Sequence, residues 1–532
     1  MNILNHAENR IWKRIITGFL IFCIMVGCVG CGYAEAAPGQ GETASSESNQ
    51  DITSLNMEPV FDYELPTVAS NIRIDRIGYG SQAKKLAYFL AKELPKEFTV
   101  VDQTTGEAVY HGEIKDASIQ AADGSMVGIG DFTACEKEGI YYLEAEVIGR
   151  SYPFRIGTLP YEDLLTEEMR HFYLRRCGLS LPLEYADDMA HNACHTSLVA
   201  MRFNDKITRD VSGGWHTDES GARSVEDGCR AMLRLLGAYE YGGGVFGDDG
   251  RIPESGNEIP DLMDELRYEV DWLLKMQDEK SGGVYRAVSV VSSKDAEGTG
   301  VLEDISEEAT LAFAAAVARF SYLYQSFDNA YATTCIQAAD RAMRYLRYQG
   351  ADPQSDAYFL ASAEMYRATG YQNYRNYVLT YFSVNLEPDL QNETVLDGCI
   401  TYLETRQKTD VQICGRIIKM IRSMAEQYSY QLSEILCGSK ETDQKQLYTQ
   451  IKILLIVNYL ISSNEYENVI EQYLHYYLGC NASQTIEMLL PEEVRASETG
   501  ELVQNAIDRP DENAGRILLL AGVIRNQSTE GP

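Results

Sequence analysis

From Pro160 onward the chain returns repeatedly to one pattern, an amphipathic helix followed by a short polar connection and another helix. In "IPDLMDELRYEVDWLLKMQ", Leu262, Leu266, Val270, Leu273 and Leu274 fall on one face at helical spacing. Pro260 suits the first turn, and the acids after it favour the positive end of the helix. Comparable patterns cover 225–241, 307–325, 329–349, 355–370, 411–435, 448–463, 465–479 and 512–526. A segment of this kind can only be a large all-α domain, of about ten to twelve helices. The alanines of "SEEATLAFAAAVARFSYLYQ" predict close helix–helix contact. No fixed-period repeat is evident, and alternating helices are compatible with a toroid.

A chain of 532 residues accommodates that core and an accessory module. From Ile72 to Gly157 the pattern shortens to strands. "FTVVDQTTGEAVYHGEI" alternates β-formers about a Thr-Gly turn, and "GIYYLEAEVIGRSYPFRIG" reads as two strands about a glycine. Several strands in so short a stretch predict a small β-sandwich. Ahead of it, "AAPGQGETASSESNQ" has the composition of a flexible linker.

The first residues read as an export signal. Arg10, Lys13 and Arg14 precede an apolar run from Ile15 to Val26, which is shorter than the roughly 20 residues of a spanning helix. Ala34-Glu35-Ala36 fits a cleavage site, whereas Met25-Val26-Gly27-Cys28 loosely resembles a lipoprotein box. The expectation is an extracellular protein, either released or held at the cell surface by a lipid, with the membrane touched only through that anchor. A net charge of −33 argues against nucleic acid as a partner and leaves neutral glycans open. Nine cysteines lie beyond the signal, an odd number scattered through apolar helices, which is no disulfide framework.

Four stretches together resemble glycoside hydrolase family 9, the cellulase family with an N-terminal immunoglobulin-like module. They are "NIRIDRIGYG" with "GIYYLEAEVIGRSYPFRIG"; "RCG", "ACH" and "DVSGGWH"; "IPESGNEIPDLMDELRYEVDWLLKMQ" with "GGVYR"; and "YYLGCNAS". The resemblance implies a mainly α fold, an (α/α)6 barrel preceded by a small immunoglobulin-like β-sandwich. It also implies a cleft for β-1,4-glucan, cut with inversion. The resulting division is signal peptide 1–36, linker 37–67, sandwich 68–158 and barrel 159–528, in a monomer whose partner is a polysaccharide.

Inverting hydrolysis needs one carboxylate to activate water and a second carboxyl group to protonate the leaving oxygen. The family places two aspartates just after the Gly-Gly-Trp loop; here Thr217 and Ser220 occupy those positions. The family's proton-donor glutamate corresponds to Gln504 when Ala-Ile-Asp is matched. Asp218, Glu219, Asp508 and Glu512 are the substitute candidates. A Pro-His-His-Arg sugar clamp is missing, with Pro491 and Arg495 as weak echoes. Three departures in separate segments predict impaired or lost hydrolysis with a residual glycan-binding role. The alternatives are an active inverting endo-β-glucanase with relocated carboxylates, or a structural or adhesive surface protein.

The resemblance also implies a structural zinc on Cys177, Cys194, His195 and His216, a closed Cys₂His₂ set. The residues alone also allow buried cysteines or a Cys177–Cys194 disulfide. His171 and His191 do not match the set. Calcium is a further expectation, through Asp248, Asp249 or Glu254. Sugar stacking would fall to Trp215, Tyr285 and Tyr476, with Tyr241 also a candidate.

Overall fold

The computed structural model describes residues 71–159, 161–291, 299–436, 443–461, 465–490 and 509–529. The signal and linker segments, Gln504, Asp508 and Arg495 therefore lie outside the described residues, as does Pro491.

Nine short strands form the N-terminal module: β1 (Ile72–Arg73), β2 (Gly78–Tyr79), β3 (Leu86–Ala91), β4 (Glu97–Asp102), β5 (Ala108–Gln120), β6 (Met126–Asp131), β7 (Gly139–Ala145), β8 (Gly149–Arg150) and β9 (Phe154–Ile156). Their order is β1-β3-β6-β5-β4-β7-β9-β2, with β8 on β7, and all pairs are antiparallel except β2 with β9. β5 belongs to both halves and loses register at each, between Val100 and Val101 of its partner β4 and again between Asp116 and Gln120. Phe89, Phe98, Phe132, Tyr141 and Phe154 fill the space between the halves. The alternation read from the sequence is thus the inward and outward alternation of a sandwich.

Twelve helices of eleven residues or more follow among the described residues. They are α1 (Tyr161–Leu174), α2 (Val225–Gly242), α3 (Asp261–Met276), α4 (Glu307–Tyr324), α5 (Asn329–Gln349), α6 (Asp356–Thr369), α7 (Gln372–Val384), α8 (Glu393–Glu404), α9 (Val411–Leu436), α10 (Gln444–Ile461), α11 (Glu467–Tyr477) and α12 (Pro510–Thr529). The even-numbered helices form the inner ring: α12 packs on α2, α2 on α4, α4 on α6, α6 on α8, and α10 on α12. A buried Lys452–Asp397 ion pair ties α10 to α8. Burial separates the two rings. Inner α4 buries thirteen of its eighteen residues, while outer α5 buries seven of twenty-one and keeps one face in water. Ala314, Ala315, Ala316 and Ala318 are among those buried on α4, where small side chains let neighbouring helices approach. The fold is an (α/α)6 barrel behind an immunoglobulin-like sandwich.

The barrel axis is charged. Arg319 reaches Glu240 at 2.6 Å and Asp397 at 3.8 Å, and Arg367 pairs with Glu240 from the other side. Burial pushes Glu404, beside this network, up to about 8, and its neighbour Glu240 adds to the shift. The sandwich docks through a second buried pair. Asp75 Oδ2 lies 2.6 Å from His475 Nδ1 on α11, and Arg76 N donates to Leu478 O.

The sequence reading missed a five-stranded sheet between the helices. β10 (Val199–Met201), β11 (Asn204–Arg209), β12 (Arg223–Ser224), β14 (Ala287–Val291) and β15 (Thr299–Leu302) run in the order β11-β10-β15-β14-β12. A separate two-stranded ribbon pairs β13 (Val284–Tyr285) with β16 (Ile305–Ser306). These strands are too short to carry a periodicity, and β10 pairs with β15 across about a hundred residues of chain.

Candidate functional site

The loop before α2 is a rigid platform. Its first half is drawn onto the chain after α1, where Cys177 N donates to Gly214 O and His216 N to Arg175 O. Trp215 inserts beneath, against Phe172, and its Nε1 donates to Glu265 Oε1 at 2.7 Å while its backbone N donates to Glu269. Burial pushes Glu269 up to about 8. Arg223, almost fully buried, ties the loop from below by donating to Val211 O and Gly213 O. Gly214 has a φ of 77°, and a Cβ there would come within 2.6 Å of the Trp272 ring, so both backbone and space require glycine.

This platform gathers Cys177, Cys194, His195 and His216, whose donor atoms all lie within 4.8 Å of one another. Cys194 Sγ is 3.9 Å from Cys177 Sγ and 3.7 Å from His216 Nε2. At 3.9 Å the sulfurs are not bonded, which excludes the disulfide reading. Tetrahedral zinc, with Zn–S near 2.3 Å and Zn–N near 2.0 Å, sets these donor–donor edges at about 3.8 and 3.5 Å, so the residues fit the ion. A hydrogen bond from the Cys177 thiol pulls Cys194 well below the ordinary thiol range, and His216 and His195 act in the same direction. His195 sits at a φ of 48°, and Gly221 closes over its ring, where a Cβ would stand 2.7 Å from Cε1.

The second half of the loop is a turn. Asp218 is exposed, and its Oδ1 accepts from Ser220 N at 2.8 Å, Ser220 Oγ at 2.6 Å and Ala222 N at 3.3 Å. Thr217 Oγ1 donates to Ala222 O and accepts from Ser224 N. Glu219 is exposed at the tip. Position 217 therefore carries a hydroxyl with two backbone partners, and the nearest acid, Asp218, has an oxygen spent on holding the turn.

A cavity of about 280 Å³ opens between the N-terminal portions of α2, α8, α10 and α12. Arg230 and Arg234 line it from α2, Lys445 and Tyr448 from α10, and Arg509 and Asp511 from the start of α12. Glu393, Glu512 and Tyr477 complete the polar lining. Arg234 meets Glu393 with two hydrogen bonds of 2.9 and 2.8 Å. Burial opposes the charge on Glu393, but Arg234 outweighs it and holds the carboxyl at about 2. Arg230 bridges Asp227 at 2.9 Å and Asp511 at 3.4 Å.

Several expected site residues lie elsewhere. Trp215 is fully buried and spends its indole N–H on Glu265, so it offers no stacking face. Tyr285 is buried too; its hydroxyl donates to Asp278 while Arg209 covers the ring. Tyr241 faces the barrel axis, where its hydroxyl meets Glu404. Tyr476 is half-buried against Tyr477. The acidic cluster is also different from the one anticipated. Asp248 converges with Asp261 and Asp264, while Asp249 is exposed and Glu254 is engaged by Arg176 at 2.9 Å. Burial raises Asp264 to about 6. Sequence reasoning overlooked the cationic cavity altogether, although arginines at 230 and 234 within the apolar stretch "CRAMLRLL" were its signal.

A barrel of six inner and six outer helices behind a sandwich defines an (α/α)6-barrel protein with an N-terminal immunoglobulin-like module. The chain belongs to glycosyl hydrolase family 9, whose sequence pattern matches residues 161–486, and the cellulase N-terminal ig-like domain matches residues 67–150. Endoglucanase D of Acetivibrio thermocellus is 28% identical over 379 residues, covering 63% of this chain and 58% of that protein. The chain thus spans less than two thirds of that relative's length. Among solved structures, Bacteroides ovatus GH9 superposes with a TM-score of 0.72 at 19% identity, covering 86% of this chain and 99% of its own. A Zn-binding triple mutant of the family 9 endoglucanase J30 superposes with a TM-score of 0.68 at 22% identity, covering 83% and 99%.

Proposed function

We propose that this is an exported family 9 protein that binds β-1,4-glucan, a cellulose-like polysaccharide, and hydrolyses it weakly or not at all. The observation that carries this reading is the loop at Thr217–Ser220, where Asp218 is committed to a turn and hydroxyls occupy the positions at which the resemblance implies two aspartates. A hydroxyl does not act as general base at neutral pH, and each missing acid or base costs about 10²–10⁴ in rate. The basic N-terminal segment and its apolar run support export to the compartment where such polysaccharides lie.

Zinc on Cys177, Cys194, His195 and His216 completes this reading. When bound, it supplies a structural cross-link with all four positions filled by protein, leaving none open for a reactant. The four residues join the chain after α1, the 194–195 segment and the platform loop, and so fix the loop that leads into α2. Metal analysis of the purified chain tests the assignment directly.

The second reading, an active glucanase with relocated carboxylates, draws on Glu512, which lines the cavity. It requires a partner carboxylate about 6.5–9.5 Å away across bound sugar. Turnover of soluble β-glucan by the wild type, lost in Glu512→Gln, would select it over the first.

A further inference from the structure

The cavity between α2, α8, α10 and α12 gathers four cations, Arg230, Arg234, Lys445 and Arg509, against three carboxylates, within a chain whose net charge is −33. Most of that charge is already matched. Arg234 is taken up by Glu393 and Asp511 O, Arg230 by Asp227 and Asp511, and Arg509 by Asp511. Two donors remain. The exposed Lys445 ammonium makes no hydrogen bond or ion pair with any described residue. It stands in the first turn of α10, which itself holds no acid, while the Asp443 carboxylate just before it is engaged in capping the helix through Gln446 N. One turn on, on the same face, the Tyr448 hydroxyl is buried, lines the cavity and has no partner. An unsatisfied buried hydroxyl is destabilising, a penalty that a ligand oxygen would remove.

We propose that this cavity seats the carboxylate of an acidic sugar unit, a uronate, within a bound glycan, with Lys445 as its counter-ion and the Tyr448 hydroxyl as its hydrogen-bond donor. The inference rests on reading the cleft as a glycan site and names the sugar it prefers. A neutral glucose hydroxyl satisfies Tyr448 and leaves the charge on Lys445 unanswered; a carboxylate, with two oxygens, answers both. The hydroxyl is held in its donating form, because burial pushes Tyr448 up to about 12. Arg234, 3.9 Å above the Tyr448 ring, fixes the ring in place.

Calorimetry on the full chain tests this with three probes: cellotetraose, the same tetrasaccharide oxidised at C6 to glucuronate, and inorganic phosphate. The oxidised sugar is expected to bind about tenfold tighter than the neutral one at low ionic strength, as a charge-assisted hydrogen bond implies. That preference should shrink as salt is added. Lys445→Gln should cut it to about threefold or less while cellotetraose binding, the internal check on folding, persists; Tyr448→Phe should weaken both sugars and narrow the gap between them. Equal affinity for the two sugars, or a preference indifferent to both substitutions, overturns the uronate and leaves the glycan reading standing. Phosphate that displaces the oxidised sugar and binds as tightly overturns the sugar assignment in favour of a general anion site. Failure of a folded chain to bind either sugar overturns both.

Discussion

Arg230 Nη1 lies 3.4 Å from Asp511 Oδ2, and the same nitrogen lies 2.9 Å from Asp227 Oδ1. A guanidinium thus stands between carboxylates of α2 and α12, at the end of the barrel where hydrolysis would need two acids separated by substrate and water. On the proposed reading both the base and the proton donor are replaced, the base by Thr217 and Ser220 on the loop before α2. Restoring it by Thr217→Asp with Ser220→Asp should raise turnover of a 2,4-dinitrophenyl cellobioside, whose leaving group needs no proton, by at least about 10²-fold. Rates of release followed at 400 nm check this. An unchanged rate would show that this loop does not face the reacting carbon.

The metal cluster makes a separate claim. The protein purified without chelator should carry one zinc per chain, and Cys194→Ser or His216→Ala should release it. Loss of a metal clip belongs with the larger destabilising events, at about 3 kcal/mol or more. Thermal melts with and without chelator check this, and a metal-free sample with an unchanged melt would defeat the clip.

Much of this was legible in the sequence, for identifiable reasons. Helices such as α3 and α5 announce themselves because one apolar face repeats over three or more turns. The clustering of Cys177, Cys194, His195 and His216 was legible through the family resemblance, which the "RCG", "ACH" and "DVSGGWH" stretches carry. The stacking aromatics were not. Trp215 and Tyr285 have the residue type of a sugar platform, but Glu265 and Asp278, distant or facing in ways the sequence does not encode, draw them inward. The cavity was hidden for a similar reason, since its lining comes from α2, α8, α10 and α12, and only the fold brings 230 beside 511.

The buried axis predicts a pH dependence. Glu404 is raised from 4.5 to about 8, so the folded chain holds a proton there that the unfolded chain releases above its ordinary value. Stability from this group is therefore complete at low pH, falls as pH rises from about 4.5 to 8, and levels off above. The slope within the window is at most about 1.4 kcal/mol per pH unit. Urea melts across that range should show the decline, and Glu404→Gln should make it shallower, leaving the share of Glu269, which is raised to a similar value. Equal slopes in the two proteins would contradict the assignment.

Removing the central cation of that axis is expected to be costly. Arg319 pairs with Glu240 and approaches Glu364 and Asp397, all buried. Arg319→Met leaves these carboxylates without it, and breaking such a buried pair costs about 3–5 kcal/mol. Denaturant midpoints should fall accordingly, while Arg202→Met, which breaks an exposed pair with Glu303, should change stability by less than about 1 kcal/mol.

The central claim, a family 9 cleft that retains glycan binding after hydrolysis has lapsed, is tested most directly by reducing-end release from soluble β-1,4-glucan. The wild type should be assayed beside Glu219→Gln and Glu512→Gln, with binding of the same polymer measured in parallel. The account predicts binding with no release above the blank, and no difference among the three proteins. Sustained release by the wild type that either substitution abolishes would contradict it.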